Sequence, residues 1–375
     1  MNEKFAPLFQ PLTFPNGKTI ENRFVLAPLT HTISNEDGTV SDREVAYMSS
    51  RTKGVGLAIT AASYTNVEGK AFPGQPSISK DADIEGLRRV AETIKENGAT
   101  AIVQIHHGGV KSLPNLVPNG DVKGPSEVET SGWGEKTPHS AREMTGEEIY
   151  QAIEDFGRAT SLAIKAGFDG VEIHGANHYL IHQFFSPYYN RRHDMWGEPL
   201  RFPVAVVDEV LRVAEEEGPE NFIVGYRFSP EEAETPGITM SRTKCLVDTL
   251  IEKSLDYLHV SLGDIQSRTR EGEYAGEKRI SLLLDWIDGR MPLIGVGSIF
   301  NARDVMAAQE TGTPLLALGR GLLFDPEFVQ KIEAGRESEI IDYFDAERED
   351  KHSLPDELWE SFATEHYASP KKNER

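Results

Sequence analysis

The sequence predicts a (β/α)8 barrel, because eight short apolar segments alternate with amphipathic stretches along most of the chain. Each segment has four to six residues, is rich in Val, Ile and Leu, and is too apolar to face water. Strands of this kind are typical of a parallel sheet whose outer surface is covered by helices. The predicted strands are residues 24–29, 55–60, 101–105, 170–174, 222–227, 257–260, 293–296 and 315–318.

A doubly wound open sheet is the alternative. Such a fold places a Gly-x-Gly-x-x-Gly turn after its first strand to hold a dinucleotide phosphate. No such turn follows residues 24–29. The barrel is therefore the better prediction.

Other segments are assigned from local signals. Residues 9–23 form a predicted β-hairpin around the turn Pro15-Asn16-Gly17-Lys18. Helices are expected at residues 84–97, at 145–166 behind the capping-box pattern Thr145-Gly146-Glu147-Glu148, and at 179–185.

Two long loops leave C-terminal strand ends, at residues 113–142 and 229–237, where barrel enzymes extend loops over the substrate. The second loop contains an acidic run, Glu231, Glu232 and Glu234, which is explained equally well as a set of solvent-exposed charges without a role in the site. We divide the chain into a barrel, 1–345, and a charged helical tail, 346–375, anchored outside the barrel by Trp359 and Phe362.

Composition excludes several classes of function. The 375-residue chain has a net charge of -21, which repels nucleic acid and anionic lipid. No apolar run is long enough to span a bilayer, so we expect a soluble cytoplasmic protein, with a homo-oligomer left open. The one cysteine, Cys245, excludes an intrachain disulfide and a cysteine-ligated cluster, and we predict that it packs in the core.

Polar residues and glycines follow the predicted strands. In a parallel barrel the C-terminal strand ends form one mouth, so these residues are expected to converge there. Glycines after the seventh and eighth strands expose backbone N–H groups, which suits a phosphate group. The candidates are Thr30, Ala62, Gln104, His174, Asn177, Tyr179, Arg227, Gly297, Ser298, Gly319 and Arg320.

Together these groups outline a flat, hydrogen-bonding cofactor with a phosphate tail, and FMN fits that outline. Phosphorylated sugars and pyridoxal phosphate occupy similar barrel sites. Pyridoxal phosphate is disfavoured because no strand-end lysine is present for a Schiff base.

The chain resembles the Old Yellow Enzyme family of FMN-dependent ene-reductases from residue 5 to 328. The resemblance is carried by five motifs in the family's order. They are Asn22-Arg23-Phe24-Val25-Leu26-Ala27-Pro28-Leu29-Thr30, Gln104-Ile105-His106-His107-Gly108-Gly109, Asp169-Gly170-Val171-Glu172-Ile173-His174-Gly175-Ala176-Asn177, Phe185-Ser186-Pro187 with Asn190-Arg191-Arg192, and Gly319-Arg320 with Asp325-Pro326.

The resemblance implies an NADH- or NADPH-dependent enzyme that reduces activated alkenes or quinones by a ping-pong mechanism. It implies that His174 and Asn177 hold the substrate oxygen and that Tyr179 donates a proton. Thr30, Gln104 and Arg227 would contact the flavin ring, with Ala27, Pro28, Leu29 and Ala62 lining it. The glycine turns after the seventh and eighth strands predict that the phosphate of the FMN binds at Gly297, Ser298, Gly319 and Arg320.

Two other functions stay open at this point, a metal-assisted hydrolase on the same barrel and a flavin-binding protein without turnover. His178 and His182 have the i, i+4 spacing of zinc ligands. No carboxylate stands in a His-Glu-x-x-His arrangement with them, so we predict no metal site.

Overall fold

The computed structural model describes residues 2–364 and residue 370, so the end of the predicted tail lies outside the described residues. Eight parallel strands close into a barrel, because the fourth strand pairs with both the third and the fifth. The predicted (β/α)8 barrel is confirmed and the open-sheet alternative is wrong. The first to eighth barrel strands are Phe24–Leu26, Leu57–Ile59, Thr100–His106, Gly170–Gly175, Ile223–Phe228, Tyr257–Val260, Leu293–Val296 and Leu315–Leu318.

Helices cover the outside of the barrel. Thr145 and Glu148 form the predicted capping box, and the short helix predicted at 179–185 begins one residue later, after Tyr179. The α-helices are Asp42–Arg51, Ile84–Glu96, Gly146–Ala166, Leu180–Phe185, Arg201–Glu217, Met240–Leu250, Arg279–Ile287, Ala302–Gln309, Arg320–Phe324, Phe328–Glu333 and Asp356–Ala363. Among the described residues, no helix is both long and apolar enough to cross a bilayer.

The predicted hairpin closes the N-terminal end of the barrel. Its strands Leu12–Thr13 and Thr19–Ile20 pair antiparallel. The Phe14 ring packs against Tyr257, with the ring centres 6.0 Å apart. The Asn16 N–H donates to Asp256 Oδ1 at 3.1 Å. This plug leaves the opposite, C-terminal end as the open mouth.

The barrel interior changes from apolar to polar towards that mouth. Side chains alternate along a strand, so every second residue points inward. The layer next to the hairpin is apolar and includes Val25, Leu57, Ile102, Ile223, Ile294 and Leu315. The layer above it contains the buried polar residues Gln104, Glu172, Arg227 and His259.

The two long loops have defined structure. Residues 113–142 contribute to a three-stranded sheet formed by Lys123–Gly124, Val128–Thr130 and His139–Glu143. A further short strand, Ser63–Tyr64, extends the barrel sheet beside the third strand. In the second loop, Glu231 pairs with Arg279 at 2.7 Å and the Glu232 side chain is fully buried. The interpretation of this acidic run as solvent-exposed charges is therefore wrong for Glu231 and Glu232.

The prediction that Cys245 packs in the core is also wrong, because its side chain is exposed. Cys245 lies on the helix Met240–Leu250, as its helical pattern predicted. The buried face of that helix carries Leu246, Val247 and Leu250, and the period of 3.6 residues turns position 245 away from it.

The C-terminal segment ends, among the described residues, in the helix Asp356–Ala363. Phe362 is buried against the rings of Phe324 and Phe344, each with its centre 5.4 Å away. This contact places the last helix beside the end of the eighth strand, close to the barrel mouth.

Candidate active site

A cavity of about 370 Å³ opens at the C-terminal mouth of the barrel, within the size range of small-molecule sites. Most of the residues predicted from the sequence line it. They are Ala27, Pro28, Leu29, Thr30, Asn177, Arg227, Gly297, Ser298, Gly319 and Arg320. Four predicted residues, Ala62, Gln104, His174 and Tyr179, are not part of this lining.

One end of the cavity has the features of a phosphate cradle. Gly297 has φ 128° and Ser298 has φ 54°, so the chain here adopts a conformation that favours glycine. A Cβ atom at Gly297 would lie 2.7 Å from the Asp264 backbone nitrogen, so no side chain fits there. Arg320 lies over the Phe300 ring at 4.9 Å and adds positive charge. Glycine turns next to an arginine suit a phosphate group.

Arg227 also lines the cavity and is 7% exposed. Burial lowers the pKa of its guanidinium, and the neighbouring Glu172 carboxylate opposes that effect. Arginine nevertheless stays protonated in proteins. Arg227 Nε is buried and has no hydrogen-bond partner among the described residues. A buried, charged donor without a partner fits a cofactor ring that gains negative charge, as the FMN prediction requires.

Below the cavity, Glu172 organises a buried hydrogen-bond network. His259 Nδ1 lies 2.8 Å from Glu172 Oε2, and Gln104 Nε2 donates to Oε1 at 2.7 Å. Burial would raise the pKa of Glu172, but His259, Arg227 and Gln104 outweigh it and the pKa is lowered. An ionised Glu172 thus balances the charge of Arg227. Gln104 gives one N–H to this carboxylate, which fixes the orientation of its amide.

His174 is a neutral hydrogen-bond donor. Burial, together with the charges of His106 and Arg227, lowers its pKa well below the usual value. Its Nδ1 atom accepts a hydrogen bond from the Ala176 N–H at 3.2 Å. The proton of the neutral ring must therefore be on Nε2, which makes Nε2–H the available donor.

Asn177 is held in place by two serines that the sequence did not indicate. Its Oδ1 accepts hydrogen bonds from Ser261 Oγ at 2.9 Å and from Ser229 Oγ at 3.4 Å. Its backbone N–H donates to Ser229 Oγ at 2.9 Å. With the amide oxygen engaged by hydroxyl donors, the Asn177 NH2 group is the part left to act as a donor in the cavity.

Tyr179 lies beside His174 in a cluster of aromatic rings. Its ring is perpendicular to that of His174, with centres 5.2 Å apart, and meets His106 edge-on at 4.2 Å. Tyr179 precedes the helix Leu180–Phe185, and its side chain makes no capping hydrogen bond there. The hydroxyl is thus not used to start the helix.

Several residues of the site were missed by sequence reasoning: Glu172, Ser229, His259, Ser261, Leu358 and Phe362. Glu172 and His259 carried a signal, since each is a polar residue at an inward position of an apolar strand. The serines and the two tail residues carried no such signal. The folding of the chain brings these four residues to the site from segments that are distant in the sequence.

A (β/α)8 barrel whose mouth carries glycine turns beside Arg320, together with the buried Arg227 and Asn177, defines a class, the NAD(P)H-dependent FMN oxidoreductases of the Old Yellow Enzyme type. A sequence profile of the NADH:flavin oxidoreductase / NADH oxidase family matches residues 7–339. The chain belongs to this family. FMN, with NADH or NADPH as reductant, is therefore its cofactor system.

Individual relatives agree with this assignment. The chain is 49% identical over 365 residues to the probable NADH-dependent flavin oxidoreductase YqiG of Bacillus subtilis. The alignment covers 96% of this chain and 97% of YqiG. It is 38% identical over 360 residues to the NADH:fumarate oxidoreductase of Klebsiella pneumoniae, covering 94% of this chain but 38% of that protein. The structure of morphinone reductase in complex with tetrahydroNAD superposes with a TM-score of 0.74 at 26% identity, covering 88% and 91% of the two chains.

Proposed function

We propose that this protein reduces activated alkenes, such as enones and nitroalkenes, or quinones, with hydride that NADH or NADPH supplies through FMN. The observation that carries the proposal lies at the end of the fourth strand, where Asn177 lines the cavity and the rings of His174 and Tyr179 contact each other with centres 5.2 Å apart. The likeness to morphinone reductase, which extends over 91% of that chain, supports this substrate class.

Cofactor binding is assigned to the lining of the cavity. FMN, when bound, accepts hydride from the nicotinamide and passes it on. Gly297, Ser298, Gly319 and Arg320 bind the phosphate, while Thr30 and Arg227 contact the ring system in this proposal. The backbone of residues 27–29 and the side of Ala62 enclose the ring, and Gln104 supports it from the buried network.

Substrate activation is assigned to His174 and Asn177. Hydride addition to the β-carbon of an enone moves negative charge onto its carbonyl oxygen. Two neutral donors, His174 Nε2–H and the Asn177 NH2 group, stabilise that charge as an oxyanion hole does. A neutral histidine suits this role because it donates a hydrogen bond at neutral pH without adding a charge to the site.

Proton delivery is assigned to Tyr179. A phenol is neutral at pH 7 and weakly acidic, so it can give its proton to the α-carbon and regain one from solvent. Its position against His174 keeps it next to the proposed oxyanion site.

Half-reactions test the proposal. Anaerobic stopped-flow absorbance at the flavin band should show bleaching by NADH or NADPH and recovery on mixing with an enone, a nitroalkene, fumarate or a quinone. Parallel initial-rate lines at several alkene concentrations are expected if both substrates use one pocket in turn. Recovery with quinones alone would reject alkene reduction, and bleaching without recovery by any of them would favour a flavin-binding protein without turnover.

The metal-assisted hydrolase has lost its support. The family match and a cavity that suits FMN explain why polar residues lie at the strand ends, so no hydrolytic metal is needed to explain them.

A further inference from the structure

We propose that His178, His182 and Glu232 form a binding site for a divalent transition-metal cation of the Zn²⁺ type, next to the active site and separate from the flavin cavity. The sequence analysis predicts no metal site here, because no carboxylate lies close to the two histidines along the chain. The loop after the fifth barrel strand brings Glu232 to them.

The two imidazoles face the same point. His178 precedes the helix Leu180–Phe185 and His182 lies one turn further on. Their ring centres are 4.6 Å apart. His182 and Glu232 have fully buried side chains, whereas His178 is 35% exposed and gives the cluster an opening to solvent.

The distances are close to those of a metal site. His182 Nε2 lies 2.8 Å and His178 Nδ1 lies 3.7 Å from Glu232 Oε2. One ligand atom from each residue lies within 4.8 Å of the other two. Ligands of a tetrahedral zinc ion, bonded at about 2.0–2.1 Å, stand roughly 3.3 Å from one another. Small side-chain movements therefore suffice for all three to bind one ion.

Hydrogen bonds from neighbouring groups orient the Glu232 carboxylate towards the two histidines. Glu232 Oε1 accepts hydrogen bonds from Ser186 Oγ at 2.5 Å and from the Ile238 N–H at 2.8 Å, which leaves Oε2 directed at the histidines. Such outer-shell bonds orient the carboxylates of metal sites. His178 Nδ1 is a buried nitrogen without a hydrogen-bond partner among the described residues. This nitrogen is therefore available to a metal ion.

A second carboxylate adds negative charge. Glu234 Oε1 lies 4.0 Å from His178 Nδ1, and its Oε2 atom also lacks a partner within the described part of the chain. Two histidines and one glutamate, with a water molecule or a further oxygen as fourth ligand, are a known set for Zn²⁺.

The position of the site gives it a role. His178 stands between Asn177 and Tyr179, and both Asn177 and His178 have positive φ, 57° and 62°. A cation held by His178, His182 and Glu232 fastens this strained turn to the loop after the fifth strand.

The test measures metal binding by the flavin-loaded protein and needs no turnover. After treatment with EDTA and equilibrium dialysis against ZnCl2, elemental analysis should find about one Zn²⁺ per chain. A competing chromophoric zinc indicator then gives the Kd. His182→Gln and Glu232→Gln should each raise that Kd at least about 100-fold, while His193→Gln, at an exposed histidine, should not change it.

Thermal unfolding provides the second measurement. Zn²⁺ at about 100 times its Kd should raise the Tm of the parent by about 3 °C, and His178→Gln should lose this shift. Flavin absorbance shows whether each variant is folded. The proposal is overturned if the parent binds Zn²⁺ no more tightly than His182→Gln and Glu232→Gln, which would make the cluster a hydrogen-bond network only. Failure of alkene reduction would leave this result untouched.

Discussion

Ser261 Oγ donates a hydrogen bond to Asn177 Oδ1 at 2.9 Å, and the same hydroxyl accepts one from Arg227 Nη2 at 3.2 Å. One serine thus connects the arginine of the cofactor cavity to the amide that we assign to the substrate oxygen. The sixth barrel strand ends just before Ser261, which fixes this contact in space.

Removing this hydroxyl should weaken substrate binding. Ser261→Ala frees the Asn177 amide to rotate, so kcat/KM for an enone should fall about 5- to 10-fold, the effect of one hydrogen bond. Flavin reduction by NADH should change less. Ser241→Ala, at an exposed serine, is the control, and an unchanged kcat/KM in Ser261→Ala would mean that Asn177 needs no such support.

Tyr179→Phe should separate the two half-reactions. The variant keeps the ring contacts with His174 and His106 but loses the acidic proton. Reoxidation by an enone should slow about 10²- to 10⁴-fold, the range for a general acid. Flavin reduction by nicotinamide and reoxidation by a quinone should stay near the parent rates. Stopped-flow absorbance measures all three, and normal enone reoxidation would assign proton delivery to another group.

Arg320→Ala should weaken FMN binding. A charge-assisted hydrogen bond to the phosphate is worth about 1.5–3 kcal/mol, so the FMN Kd should rise roughly 10- to 100-fold. Arg303→Ala removes an equal charge from a side chain that is 83% exposed and serves as control. Flavin released on dialysis gives the readout, and equal retention in both variants would place the phosphate elsewhere.

Phe362→Ala tests the role of the last helix. Leu358 and Phe362 line the cofactor cavity beside Leu323, so the helix forms part of its wall. Removal of the buried ring should open this wall and speed FMN release about 10-fold, because truncating a buried Phe costs several kcal/mol of packing. Glu360→Ala changes an exposed residue of the same helix. Equal release rates in the two variants would show that the helix does not retain the flavin.

Buried histidines should make stability depend on pH. Burial lowers the pKa of His107 to about 3, with a smaller contribution from Lys123. Its unfolded pKa is about 6.5, so below pH 6.5 the unfolded chain binds a proton that the folded chain does not. The contribution of His107 to the free energy of unfolding is therefore complete above about pH 6.5. It is lost progressively as the pH falls from about 6.5 towards 3.

The matching variant isolates this effect. In His107→Asn, the slope of the unfolding free energy against pH between 6 and 4 should be smaller than in the parent by about 1.4 kcal/mol per pH unit. Urea unfolding followed by circular dichroism measures it, with His193→Gln as the exposed control. An unchanged slope would show that His107 is protonated in the folded protein.

The sequence by itself determined the barrel and many of the residues that line its mouth. Hydrophobic segments with regular spacing define strands and helices through local geometry, and parallel strands bring their C-terminal ends together in any barrel. For that reason the sequence places Thr30, Arg227, Gly297 and Arg320 at one site, and all four line the same cavity.

The tertiary structure decided which distant residues support that site. Ser261 reaches Asn177 across 84 positions of the sequence, His259 reaches Glu172 across 87, and Glu232 reaches His182 across 50. Glu172 and His259 each stand out as polar residues in apolar strands, but contacts between residues so far apart follow no local period, so the sequence does not predict which residues pair. Cys245 is a different case, because the 3.6-residue period of Leu246, Val247 and Leu250 already turns it away from the buried face of its helix. Local periodicity in the sequence determines where helices and strands form. Contacts between them depend on how the closed barrel arranges these elements in space.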